Sequence, residues 1–146
     1  MTTIAVTKNE IGCDLQYTHH SGYKFEGSTK IHEMNVPVLY PTPFYVGYAG
    51  SVSRIQEVLN WLIDPQEKVP RGKDHAEFVV LTKDKKMFTF TNPVNWIEIK
   101  DKYYTIGSGA PYAAGALAAG TDVTTAIKIA SKHDSHTGSK VKLIKL

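Results

Sequence analysis

The first fifty residues alternate short apolar runs with polar turns. Thr3 to Thr7 and Ile11 to Tyr17 flank Lys8-Asn9-Glu10, a pattern that predicts a β-hairpin. Tyr23 to Phe25 follows the polar loop Thr18-His19-His20-Ser21-Gly22, and Thr29 to Met34 and Tyr45 to Ala49 flank the proline-punctuated stretch Pro37 to Phe44. At Ser51 the period changes. Val52, Ile55, Leu59, Leu62 and Ile63 fall at helical spacing, with Ser51 placed to cap and Asp64-Pro65 placed to stop. Beyond the polar loop Pro65 to Asp74, four strands are predicted at Phe78 to Leu81, Lys86 to Phe90, Trp96 to Ile99 and Tyr103 to Ile106. Ser108 to Ala119 reads as a helix of small residues ended by Gly120. Thr121-Asp122 caps a second helix through about His133, and Val141 to Leu146 closes as a strand. The order is sheet, helix, sheet, two helices, strand, without βαβ alternation, which predicts α+β layers and not a doubly wound sheet.

A length of 146 residues supports one domain spanning 1–146, and a composition 42% apolar and 21% charged is that of a folded globular chain. The net charge of +3 comes mostly from scattered lysines. Arg54 and Arg71 are the only arginines, so the guanidinium chemistry of phosphate and base-edge recognition is scarce, which argues against nucleic acid as a partner. Cys13 is the only cysteine; it excludes an intrachain disulfide and a multi-cysteine zinc site and suits a reducing, cytoplasmic setting. Met1-Thr2-Thr3-Ile4-Ala5-Val6 lacks the basic and apolar regions of a secretion signal, and no apolar run approaches ~18 residues, so neither secretion by that route nor a membrane is expected.

Initiator methionine is normally removed before a small second residue, which would leave Thr2 with a free α-amine beside its own hydroxyl. Such a residue carries nucleophile and base together, the amine having a reference pKa of ~7.7–8.0. If the hairpin turn centres on Asn9, paired positions sum to about 18, so that Thr2 opposes Gln16 and Asp14 stands one diagonal step away. Lys30, in Gly27-Ser28-Thr29-Lys30-Ile31, projects inward or outward. Placed between Asp14 and the threonine hydroxyl, it would lower the hydroxyl pKa; placed outward it is an ordinary solvated lysine. Ile106 to Tyr112 passes from strand to helix through glycines but matches neither a phosphate loop nor a dinucleotide fingerprint. Asp134 and Thr137 stand three residues apart in a segment whose ordinary reading is a capping turn, and His133 and His136 lack a third metal ligand. His19 and His20 read as solvated loop residues, and Cys13 as a small buried strand residue.

Taken in order, Thr2-Thr3-Ile4, Asp14, Lys30 before Ile31, Gly47-Tyr48-Ala49-Gly50-Ser51, Gly107-Ser108-Gly109-Ala110-Pro111-Tyr112-Ala113 and Asp134-Ser135-His136-Thr137-Gly138 resemble the proteasome β-subunit and HslV peptidase family of N-terminal nucleophile hydrolases. The resemblance implies an α+β fold, a four-layer αββα sandwich. It implies Thr2 as nucleophile and base, Lys30 lowering the hydroxyl pKa, and Asp14 orienting Lys30. Ser108, Asp134 and Thr137 would form a proton-relay network at the amino terminus, the Gly50 N–H would stabilise the oxyanion, and Tyr48 would line the substrate pocket. No cofactor or metal is implied. Polypeptide substrates, a homo-oligomeric ring and an ATP-dependent unfoldase are the implied partners. The family places two long helices between its strand groups where this chain offers only Val52 to Ile63, so one outer helical layer is expected to be reduced. An N-terminal nucleophile amidohydrolase acting on small amides, and a catalytically silent assembly subunit, are the alternatives.

Overall fold

The structure is a computed structural model and describes residues 2–19 and 21–146; the expectations for removal of Met1 and for His20 lie outside the described residues. In chain order the elements begin with β1 (Thr3–Thr7), β2 (Glu10–Asp14), β3 (Gln16–Thr18), β4 (Lys24–Glu26), β5 (Ile31–Met34) and β6 (Phe44–Gly50). Next come α1 (Val52–Ile63), β7 (Ala76–Thr82), β8 (Met87–Phe90), β9 (Ile97–Ile99) and β10 (Tyr103–Gly107). The chain ends with α2 (Ala110–Ala118), α3 (Val123–His133) and β11 (Val141–Lys145). This is a mixed α/β structure of helices and antiparallel sheets. One sheet has the order β10-β1-β2-β11, another β5-β6-β7-β8-β9, and β3 pairs with β4 in a separate ribbon.

Period-two alternation sends neighbouring strand residues to different partners. On β1, Ile4 and Val6 join a cluster with Ile31, Ala49, Val79 and Leu81 of the five-stranded sheet. Ala5, between them, packs instead with Ala113 and Leu117 of α2 and Val123 and Ile127 of α3. On β6, Phe44, Val46 and Tyr48 pack with Ile55, Val58, Leu59 and Leu62 of α1. One helix therefore serves the five-stranded sheet, and two serve the four-stranded one.

The helix over Val52–Ile63 has the bounds its spacing predicts. Ser51 stands at its N-cap position, but the hydroxyl pairs with that of Ser53 at 3.0 Å and makes no capping bond. Asp122 caps α3 through Thr125 N at 2.7 Å.

Two expectations at the first hairpin need correction. The pairing is Ile4 with Cys13, Ala5 with Gly12 and Val6 with Ile11, a sum of 17 and not 18. A two-residue loop, Lys8-Asn9, closes the hairpin, with the Thr7 hydroxyl accepting from Asn9 N at 3.2 Å and Glu10 N at 3.3 Å, and a two-residue loop fixes an odd sum. The second correction is that the strand expected over Ile11 to Tyr17 breaks at Leu15. The Asp14 carboxylate accepts from Gln16 N at 3.2 Å, a local bond that turns the chain and sends Gln16–Thr18 into the separate ribbon with β4.

Leu62 is fully buried in the α1 cluster, whereas the next residue, Ile63, is 65% exposed. Leu62→Ala should cost about 2–5 kcal/mol in urea denaturation followed by circular dichroism, and Ile63→Ala should shift stability by less than about 0.5 kcal/mol.

Candidate active site

Asp14 ends β2 and is fully buried. An isolated carboxylate there would be prohibitively costly, and the local fold surrounds it with donors. Oδ1 accepts from Thr2 Oγ1 at 3.1 Å, Thr3 N at 3.0 Å and Lys30 Nζ at 3.0 Å; Oδ2 accepts from Gln16 N at 3.2 Å and Gly138 N at 2.9 Å. The sequence placed Asp14 near the amino terminus by a register one residue out, yet Thr2 and Asp14 meet because the corrected pairing brings Asp14 against Thr3.

Lys30 immediately precedes β5 and projects inward, with 3% of its surface exposed. Its ammonium donates to the Thr2 hydroxyl, to Asp14 and to the Gln16 carbonyl at 2.6 Å, which uses all three of its N–H bonds. The same ammonium stands 4.9 Å from the centre of the Tyr17 ring. Burial pushes the Lys30 pKa below the ordinary lysine value, and the opposing pull of the Asp14 charge does not restore it. The Thr2 hydroxyl thus accepts from a buried ammonium and donates to a buried carboxylate.

A second network lies behind the amino terminus. Ser108 Oγ and Thr137 Oγ1 each donate to Asp134 Oδ2 at 2.6 Å, and His136 N donates to Oδ1 at 3.2 Å. Because the Thr137 proton is committed to Asp134, the 2.7 Å contact between Thr3 Oγ1 and Thr137 Oγ1 has Thr3 as donor. Partial burial raises the Asp134 pKa, but the hydroxyls of Ser108 and Thr137 outweigh it and hold the carboxyl below the usual range. Ser108, Asp134 and Thr137 are therefore brought together as expected, and they reach the amino terminus through the Thr3 hydroxyl, which the sequence reading had not singled out. The backbone adds a further tie: at Gly107, with φ +96°, a Cβ would stand 1.9 Å from the Thr2 carbonyl oxygen, so only glycine lets this turn pass.

Gly50 and Tyr48 lie on β6 and line a cleft of about 360 Å³ together with Thr2 and Lys30. Ser51 N donates to His75 O at 3.0 Å, so the alternation of an antiparallel ladder turns the Gly50 N–H to the other side of β6, away from β7. On that side Tyr48 N is taken by Lys30 O at 3.2 Å. Pairing between β5 and β6 ends there, and Gly50, with φ +121°, lines the cleft beyond it. Tyr48 Oη donates to Thr29 O at 3.2 Å and contacts His32 Nε2 at 2.9 Å, while burial pushes the phenol pKa up to about 12. Tyr48 is thus a neutral, fixed part of the cleft wall.

The sequence reading missed Gln16, Tyr17, His32 and Gly138 as site residues. Gln16 carried a signal as the residue expected opposite Thr2, and Gly138 as the position directly after Thr137; Tyr17 and His32 act through a ring face and a cleft wall that spacing does not reveal. Among the described residues, no three or more His, Cys, Asp or Glu side chains group as metal ligands.

No protein-family model and no curated protein matches the chain. Solved structures do resemble it in fold. A eukaryotic HslV from Trypanosoma brucei superposes with a TM-score of 0.68 at 19% identity, covering 99% of this chain and 99% of that one. Anbu from Hyphomicrobium sp. strain MC1 gives a TM-score of 0.72 at 12% identity, covering 99% of this chain and 81% of that chain. Anbu from Pseudomonas aeruginosa, solved as a helical assembly, gives 0.72 at 11% identity over 99% of this chain and 80% of that chain. At these identities the likeness is one of fold.

The buried pair makes a measurable claim. Asp14→Asn and Lys30→Met should each cost about 3–5 kcal/mol in chemical denaturation, because each strands a buried charge; the double variant should recover a large part of the summed loss.

Proposed function

We propose that this chain is a single-domain threonine-type endopeptidase subunit of the proteasome-like kind, with Thr2, exposed by removal of Met1, as its nucleophile. The observation that carries the reading is the Thr2 hydroxyl held between the buried Lys30 ammonium and the Asp14 carboxylate at the mouth of a cleft. The reading includes a four-layer αββα sandwich with α1 alone as a reduced outer layer, and the three hydrophobic clusters support that layering. The fold likeness to HslV and Anbu agrees with it.

In this mechanism the neutral α-amine of Thr2 takes the hydroxyl proton as Oγ1 attacks a peptide carbonyl. The charged Lys30 favours the developing alkoxide, and Asp14 keeps Lys30 charged and aimed. The Gly50 N–H receives the oxyanion of the tetrahedral intermediate. The amine then gives its proton to the leaving nitrogen, leaving an ester on Thr2. A water activated by the same amine releases the acyl product. Ser108, Asp134 and Thr137 hold the amino terminus through Thr3 and carry its proton exchange. Tyr48 shapes the cleft.

Substrates are polypeptides, and the chain works in the cytoplasm as a homo-oligomer, a ring that encloses its active sites, with an ATP-dependent unfoldase as feeding partner. The helical assembly of an Anbu supports self-association of this fold. Among the described residues no helix is long and apolar enough to cross a membrane.

Kinetics on a fluorogenic peptide panel test the reading. Thr2→Ala should fall to background and Lys30→Met should lose about 10²–10³-fold in kcat; equal hydrolysis by Thr2→Ala and the parent chain overturns it. The pH profile of kcat/KM should be bell-shaped. Its rising limb belongs to deprotonation of the Thr2 amine. Its falling limb belongs to loss of the Lys30 proton as pH rises; because burial lowers the Lys30 pKa, that fall should set in at a lower pH than the ordinary lysine value of ~10.4 would give.

A further inference from the structure

The cleft beside Thr2 has walls of different chemistry. From α1 the lining takes Val52, Ile55, Leu59 and Gln56, and its polar residues include Thr18 of β3, Ser28 of the loop after β4 and His32 of β5. Among the described residues, no lining side chain is an aspartate or glutamate. The carboxylate beneath the cleft, Asp14, is fully buried and already receives five donors. Glu57, the carboxylate within α1, lies against Arg54, and Asp74, in the loop that follows, accepts from Ser53; neither lines the cleft. Among the described residues, Lys30 is the only lysine or arginine in the lining, and its ammonium is paired with Asp14 at 3.0 Å.

We infer that the cleft is a selectivity pocket that rejects lysine and arginine on the acyl side of the cut bond and accepts an uncharged side chain with an apolar stem and a polar tip, such as glutamine or tyrosine. This rests on the peptidase reading above. A cation entering the cleft would lose water and meet no counterion among the described lining residues, Asp14 being already paired with Lys30, which is a discriminating penalty and not a weaker attraction. An uncharged stem instead covers Val52, Ile55 and Leu59, and its tip meets the hydroxyls of Thr18 and Ser28 and the imidazole of His32. Tyr48, bonded to Thr29 and His32, is a further part of the lining.

The test uses the full chain with Met1 removed and fluorogenic peptides that differ only in the residue before the reporter: Gln, Tyr, Leu, Lys or Arg. Gln, Tyr and Leu should be cleaved with kcat/KM about tenfold or more above Lys and Arg. Gln56→Glu places a carboxylate in the lining without touching Thr2, Lys30 or Asp14, and it should raise the Lys and Arg values relative to Gln by about tenfold. Circular dichroism checks that this exposed substitution leaves the fold intact. Lys or Arg peptides cleaved as well as Gln peptides by the parent chain overturn the selectivity inference while the peptidase reading stands; an unchanged ratio in folded Gln56→Glu does the same. Hydrolysis of no peptide overturns both.

Discussion

Two opposite charges share the interior of this protein at the point where its sheets meet its amino terminus. Lys30 and Asp14 are 3.0 Å apart and nearly inaccessible to water, so every neighbouring element has to supply a partner or leave a buried charge uncompensated. That demand explains the local arrangement. The chain turns at Leu15 because Asp14 takes Gln16 N, the segment after α3 approaches because Gly138 N completes the carboxylate, and Thr2 is captured because its hydroxyl fits between the two charges. Tyr17 covers the ammonium from the ribbon side. A buried ion pair is a weak source of net stability, and here it fixes the position of the Thr2 hydroxyl.

The second network gathers neutral donors around one carboxylate. Asp134 gathers two hydroxyls and a backbone N–H at the C-terminal end of α3, and the Thr3 hydroxyl joins it to β1. Thr2 is therefore flanked by an ion pair on its side-chain face and a hydroxyl relay through its neighbour, while the turn at Gly107 presses against its carbonyl. Three independent elements fix one residue, a preorganisation that the role proposed for Thr2 requires.

Much of this was legible in the sequence, for identifiable reasons. The helix over 52–63 announced itself because its apolar positions repeat with a helical period and a proline follows, and the strands did so because alternation and turn residues bound them. Lys30, Asp14, Ser108, Asp134 and Thr137 were found through a pattern of short segments and are gathered by the fold. The hairpin register was not legible, since a two-residue and a three-residue loop are both compatible with Lys8-Asn9-Glu10, and that choice alone moves every partner by one. Thr3 was hidden behind Thr2, because adjacent strand residues face opposite ways and the relay approaches from the other side. His32 and Tyr17 contribute as walls of a cleft, a property of assembled surface that no local spacing encodes.

The central claim is that Thr2, as the first residue, carries the reaction. It is met most directly by treating an active preparation with a hydroxyl-directed electrophile and locating the adduct by peptide mass spectrometry. The account predicts a single adduct on a peptide that begins at Thr2, with Met1 absent and activity lost in proportion to modification. An adduct on another residue, or full activity in chains that retain Met1, contradicts it.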